Sequence, residues 1–120
     1  MGLDITFNRH ISSEVGYFRK VNFLVRFFEN RGLNVGEQRP LIIYKEDAEE
    51  LLLKCEQVLK DKSKGPELLP TREGFFFGST NYDEYYYDSV LEVSKFIKDT
   101  LLPVFDELDS DEYITFDIWY

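Results

Sequence analysis

The sequence predicts one α+β domain, with three helices packed on a small antiparallel or mixed sheet. Both ends of the chain alternate apolar and polar residues with a period of two. Between them lie three stretches with apolar residues at helical steps of three and four. At 120 residues, 43% of them hydrophobic, the chain is long enough for one core and too short for two.

The elements follow in order. Leu3, Ile5 and Phe7 alternate with Asp4, Thr6 and Asn8, the pattern of a half-buried strand. A first helix is expected where Phe18, Val21, Leu24, Val25 and Phe28 form an apolar stripe, with Ser12 or Ser13 as cap and Gly32 as stop. The β-branched run Pro40–Tyr44 reads as a second strand. Ala48, Leu51, Leu52, Cys55, Val58 and Leu59 stripe a second helix. Acids at its start and lysines near its end suit the helix dipole, and Gly65-Pro66 closes it. A third helix begins near Asp83 and turns Tyr86, Val90, Val93, Ile97 and Leu101 inward until Pro103 kinks or breaks it. Ile114, Phe116 and Ile118 then alternate in a last strand. The terminal strands should pair, since each would otherwise leave an open edge. The expected order over residues 1–120 is strand, helix, strand, helix, loop, helix, strand.

The loop is the densest part of the chain. Phe75-Phe76-Phe77 lies between Gly74 and Gly78, and Ser79–Tyr87 holds four tyrosines among five polar or acidic residues. Connections normally run over the surface and carry polar side chains. Such a loop either plugs the core or builds a binding surface.

Charge is divided along the chain. Residues 1–80 carry twelve acids and twelve bases, so the net −9 comes from residues 81–120, with eleven acids against Lys95 and Lys98. Arg9–Arg31 holds five bases and two acids. The acidic third should repel nucleic acid and membrane surfaces, so direct binding to either is not expected. Its simplest role is a solvated face, and imitation of DNA is the sharper alternative. No apolar run reaches the length of a membrane span. A single cysteine, Cys55, allows no internal disulfide and fits a reducing cytoplasm.

No catalytic or cofactor signature stands out. His10 is the sole histidine, and Cys55 falls on an apolar helical stripe, where it reads as core. Asp83, Glu84 and Asp88 could offer oxygen ligands to Mg²⁺ or Ca²⁺, but they lack calcium-loop spacing and read more simply as acids at a helix start. Neither metal nor cofactor is expected. GFFFGST lacks the lysine of a phosphate loop, yet Ser79 and Thr80 precede a helix whose free N–H groups could hold an anion. Simple capping is the competing reading. Gly16 within the expected first helix would cost about 1 kcal/mol against alanine, which points to a close approach there. Arg19 and Lys20 either face a ligand or pair internally with Glu67, Asp83 or Glu84.

Three blocks, MGLDITFN, EVGYFRKVN and ELLPTREGFFFGSTNYDEYYY, together resemble a family of small proteins of uncharacterised function from tailed bacteriophages and prophages. The resemblance spans nearly the whole chain. It implies a phage or prophage origin, a bacterial cytoplasm, and one site built from the motif positions. Those are Tyr17, Arg19, Lys20 and Asn22 from the first helix, and Thr71, Ser79, Thr80, Tyr82, Asp83, Glu84 and Tyr86 from the loop region. Arg72-Glu73 stands where such proteins often carry uncharged residues, and the third helix is unusually tyrosine-rich.

Three functions are compatible with these features. One is non-enzymatic binding of a small anionic, nucleotide-like ligand, as by a counter-defence sponge. Another is an acidic inhibitor of a host protein. The last is an enzyme on a phosphorylated substrate, with Asp83 or Glu84 as base. Exposed aromatics would also make a homodimer unsurprising.

Overall fold

The computed structural model describes residues 2–10, 13–37 and 39–120, so the expected cap Ser12 lies outside the described residues. The alternating ends form β1 (Asp4–Arg9) and β4 (Ile114–Trp119), which pair antiparallel with Ile5 opposite Ile118 and Phe7 opposite Phe116. β3 (Leu41–Ile43) pairs antiparallel with β4 on its other side.

The first expected helix is corrected over its N-terminal half. Ser13–Arg19 is a strand, β2, antiparallel to β1, and the helix α1 occupies only Asn22–Glu29. Phe18 and Val21 do pack against the core, but one does so from a strand and the other from the turn. Gly16 explains the preference. In register opposite Phe7 it faces the ring of Phe96, and a Cβ there would collide with that ring. The close approach is therefore by a side chain of a distant helix. Tyr17 and Arg19, expected on the first helix, project instead from β2. The sheet order is β2-β1-β4-β3, antiparallel throughout, and the chain order becomes strand, strand, helix, strand, helix, with a further short helix before the aromatic loop.

The helices show how their ends were set. Gly32 (φ +106°) terminates α1: its N–H reaches Glu29 O and the N–H of Leu33 reaches Phe28 O, a Schellman pair. α2 (Lys45–Lys60) opens with the Asp47 carboxylate accepting from Tyr44 N at 2.8 Å. Gly65-Pro66 does not simply close it. A 3₁₀ turn (Lys62–Lys64) follows, and Pro66 sits in the first turn of a short helix α3 (Gly65–Leu68), a helix additional to the three expected. α4 (Glu84–Phe96) is capped by Asp83, which accepts from Tyr86 N. Pro103 does not break the rod that follows. A π turn (Ile97–Leu101) widens the helix, Leu102 N–H reaching back to Ile97 O, and α5 (Leu102–Glu107) continues with Pro103 in its first turn, where a missing N–H is tolerated.

Phe7 centres the core. Its ring meets Phe18, Phe28, Phe96 and Phe116 at centroid distances of 5.0–6.2 Å. Helices thus cover the sheet face that carries Ile5, Phe7 and Phe116. The other face is polar, with Asn8 donating to Asp117 (2.7 Å) and Thr6 (3.0 Å). No helix among the described residues is long and apolar enough to cross a membrane.

Candidate functional site

Lys20 sits in the turn between β2 and α1 with φ +59°, a left-handed conformation that costs an L-residue energy. The turn is held by Lys20 N–H donating to Leu3 O at 2.7 Å. Glycines lie on both sides of its side chain. A Cβ on Gly78 (φ +89°) would come 3.1 Å from Lys20 Cβ, and one on Gly2 would come 3.0 Å from Arg19 Nη2. The two cations are therefore steered by close backbone packing. Among the described residues neither makes an ion pair, so the expected internal partners Glu67, Asp83 and Glu84 are not used by them.

Two residues along, Asn22 is buried and ties the aromatic loop to α1. Its amide donates to Phe77 O (3.1 Å) and Ser79 O (2.9 Å), and its carbonyl accepts from Arg72 N (3.0 Å). Thr71 extends this lacing: its N–H donates to the Tyr82 hydroxyl and its own hydroxyl to Thr80 O, both at 3.0 Å. Ser79 Oγ accepts from Asn81 N, closing a local turn, while Thr80 itself looks onto the open hollow beside Arg26. Asp83 caps α4. Tyr86 is buried, with its hydroxyl donating to Leu69 O at 2.7 Å, and desolvation raises its pKa well above the ordinary tyrosine value. Tyr82 packs edge-on against Tyr86. Glu84 is exposed in the first turn of α4. Arg72, one of the unusual charges, is also structural: it makes two bonds to Glu29 and lies over the Phe77 ring.

The eleven predicted positions thus divide. Lys20, Asn22, Thr71, Ser79, Asp83 and Tyr86 converge on a narrow cleft of only about 20 Å³, room for a water molecule. That cleft meets a larger groove of about 380 Å³ at Val21, Tyr85 and Ser89. Tyr17 and Arg19 line the groove from β2; Tyr85, Asp88 and Glu92 line it from α4. This volume lies in the range that takes a small molecule. Thr80, Tyr82 and Glu84 line neither.

The groove has a graded character. Exposed Tyr17 and Tyr85 offer ring faces, Arg19 lines the groove from β2 with Lys20 in the adjoining cleft, and Asp88 and Glu92 lie along the helix side. The Tyr17 hydroxyl donates to Asp4, a bond that raises its pKa and keeps it protonated. Ser89 is occupied in donating to Tyr85 O. Cys55 lies buried on α2, its thiol pushed up to about 12 by desolvation, consistent with a core role. His10 stacks on Tyr113 with ring centroids 4.2 Å apart.

Sequence reasoning missed the α4 half of the groove as a lining. Tyr85, Asp88 and Glu92 follow one another at steps of three and four, immediately beside the buried stripe of Tyr86, Val90 and Val93, and that spacing was the available signal. Comparison with protein-family models gives no match, and neither the curated proteins nor the solved structures yield a similar chain.

Proposed function

We propose that this chain is a non-enzymatic accessory protein of phage or prophage origin that binds a small anionic, nucleotide-like ligand in the groove between β2 and α4. One observation carries the reading: a groove of about 380 Å³ is lined by Arg19 and by the exposed rings of Tyr17 and Tyr85, Lys20 lies in the cleft that adjoins it, and neither cation has a carboxylate partner among the described residues. Arg19 offers a planar fork suited to phosphate, and Lys20 a point charge beside it. A tyrosine face stacks a base for about 1–3 kcal/mol. Asp88 and Glu92 are acceptors for sugar hydroxyls or exocyclic amines.

The acidic-inhibitor reading has its own support in Glu84, Asp88 and Glu92, exposed at successive turns of α4. Such a stripe carries one charge per about 6 Å of helix, against one per about 1.7 Å for duplex DNA. Moreover Asp106 and Glu112 are taken up by Lys45 and Arg9. The charge density is low for a DNA mimic, which leaves the small-ligand reading in front.

The test is native mass spectrometry of protein purified from bacterial cytosol, followed by thermal shift against a nucleotide panel. A stoichiometric nucleotide-like mass, or a rise in melting temperature, is the expected result; a ligand at a hundredfold its Kd adds about 2.7 kcal/mol. Arg19→Ala with Lys20→Ala should abolish the response while the unliganded melting temperature stays within a few degrees. A clean mass with no response to any nucleotide sinks the reading and sends the search to a protein target.

A further inference from the structure

The three consecutive phenylalanines are not equivalent. Phe77 is 1% exposed, whereas Phe75 is 84% and Phe76 51% exposed. The turn that separates them is fixed at every side. Phe77 N–H closes on Gly74 O (3.1 Å), Leu3 N–H donates to Phe76 O (2.9 Å), and Asn22 holds Phe77 O. Phe76 is kept in the left-handed region at φ +63°, where a side chain with a Cβ is strained. Two large apolar rings are thus presented on a rigid support, so their burial against a partner would require little further ordering.

We infer that this turn is a self-association site, at which two copies of the chain meet about a two-fold axis with the Phe75 ring of each against the depression beside the Phe75 of the other. An isologous contact needs a patch complementary to itself, knob next to hole. Here the knob, Phe75, stands at the edge of a shallow, wide-open depression that it shares with Arg72, Glu73 and Gly74, against which the ring of a second copy can lie. That depression continues past Arg72 and Glu73 into a second one reaching Arg26 and Glu29.

Charge selects the occupant. On a chain of net −9, copies repel through the acidic residues 81–120, yet this patch holds two cations and two anions. Arg72 and Glu29 satisfy each other at 3.0 Å. Arg26 and Glu73 make no ion pair among the described residues, and a two-fold axis lets Arg26 of one copy meet Glu73 of the other. A strongly basic or strongly acidic partner would find no such match. The two rings of one copy supply on the order of 250 Å² of contact, roughly a third of the 800 Å² per partner of a standard interface. The rim supplies the rest, which points to a reversible dimer of moderate affinity.

Sedimentation equilibrium of the full chain over a wide concentration range tests this. The wild type should show a monomer–dimer equilibrium, and Phe75→Ser should weaken it at least about tenfold with an unchanged thermal melt, the side chain being solvent-exposed. Glu73→Arg should weaken the dimer, and Glu73→Arg combined with Arg26→Glu should restore it. A wild type that stays monomeric throughout overturns the proposal, as does a dimer indifferent to Phe75→Ser. A dimer lost in Phe75→Ser but unmoved by either charge change overturns the two-fold register. None of these readouts depends on whether the groove binds a nucleotide.

Discussion

The loop and its surroundings contain two populations of side chains with the same chemistry and opposite commitments. Asn22, Thr71, Tyr82, Tyr86 and Phe77 have their polar groups bonded or their rings covered, and they lash residues 69–83 onto α1 and α3. Tyr17, Arg19, Lys20, Tyr85, Phe75 and Phe76 sit one to five residues away in sequence and line the rim. The inner set is what makes the outer set rigid. Buried polar groups are costly unless satisfied, so a fully laced interior leaves the chain little freedom in where it sets its rim. Display and scaffold are therefore one device, and each can be broken without the other.

The largest contrast lies within three residues. Phe77→Ala removes a fully buried ring that packs edge-on to Tyr120 and under Arg72, and should cost about 4 kcal/mol. Phe75→Ala should change stability by no more than about 0.5 kcal/mol. Chemical denaturation of the two variants measures both; equal losses would mean that the turn does not divide them as described.

Asn22→Ala comes next. It strands two carbonyls, Phe77 O and Ser79 O, and one donor, Arg72 N, and should cost about 3 kcal/mol. Because the lacing goes with it, amide exchange should accelerate across residues 72–80 while β1 and β4 keep their protection. Uniform acceleration over the whole chain would show that Asn22 serves global stability rather than the loop.

This division was only partly legible in the sequence. β1, β4, α2 and α4 could be read because their patterns persist over six residues or more and agree with their caps. β2 could not. Phe18, Val21 and Leu24 keep helical spacing across a strand-to-helix junction, so the period continues where the backbone does not. What favours a strand is Gly16 beneath Phe96, a contact eighty residues away. The density of the loop was visible, but not which of its groups turn inward. That choice is made by long-range partners, as when Asn22 reaches carbonyls 55 and 57 residues later. Tyr85, Asp88 and Glu92 line a groove only because β2 ends beside them, a fact of tertiary packing that helical spacing cannot carry.

Arg9 offers the committed counterpart of Arg19. It binds Glu112 through two bonds of 2.7 Å, and the Asp109 N–H adds a third to the same carboxylate. Arg9 above all, and then that backbone bond, hold Glu112 down to about 2 from its ordinary 4.5. With the folded value below the unfolded one, its contribution is present above about pH 4.5 and is lost as pH falls toward 2. Glu112→Gln should therefore lower the melting temperature at neutral pH and bring the two proteins together at acid pH. A constant gap down to pH 2 would mean that the charge of Glu112 contributes nothing. The same titration on Arg19→Ala should leave the profile unchanged.

Lys20 gives the smallest stability effect and the clearest separation of the two commitments. Its left-handed backbone costs about 1–2 kcal/mol for any residue with a Cβ. Glycine removes that strain but loses about 0.5–1 kcal/mol through the freedom of its unfolded chain. It also gives up the packing of the lysine stem on Gly78. These terms nearly cancel, so Lys20→Gly should melt close to the wild type. Lys20→Ala keeps the strain and loses the same stem, and should be the less stable of the pair by about 0.5–1 kcal/mol. Both lack the ammonium group and should lose any nucleotide-dependent shift equally. If Lys20→Gly instead proves less stable than Lys20→Ala, the turn does not hold a strained lysine. The backbone at residue 20 would then be a passive connection between β2 and α1, not a device that aims a charge.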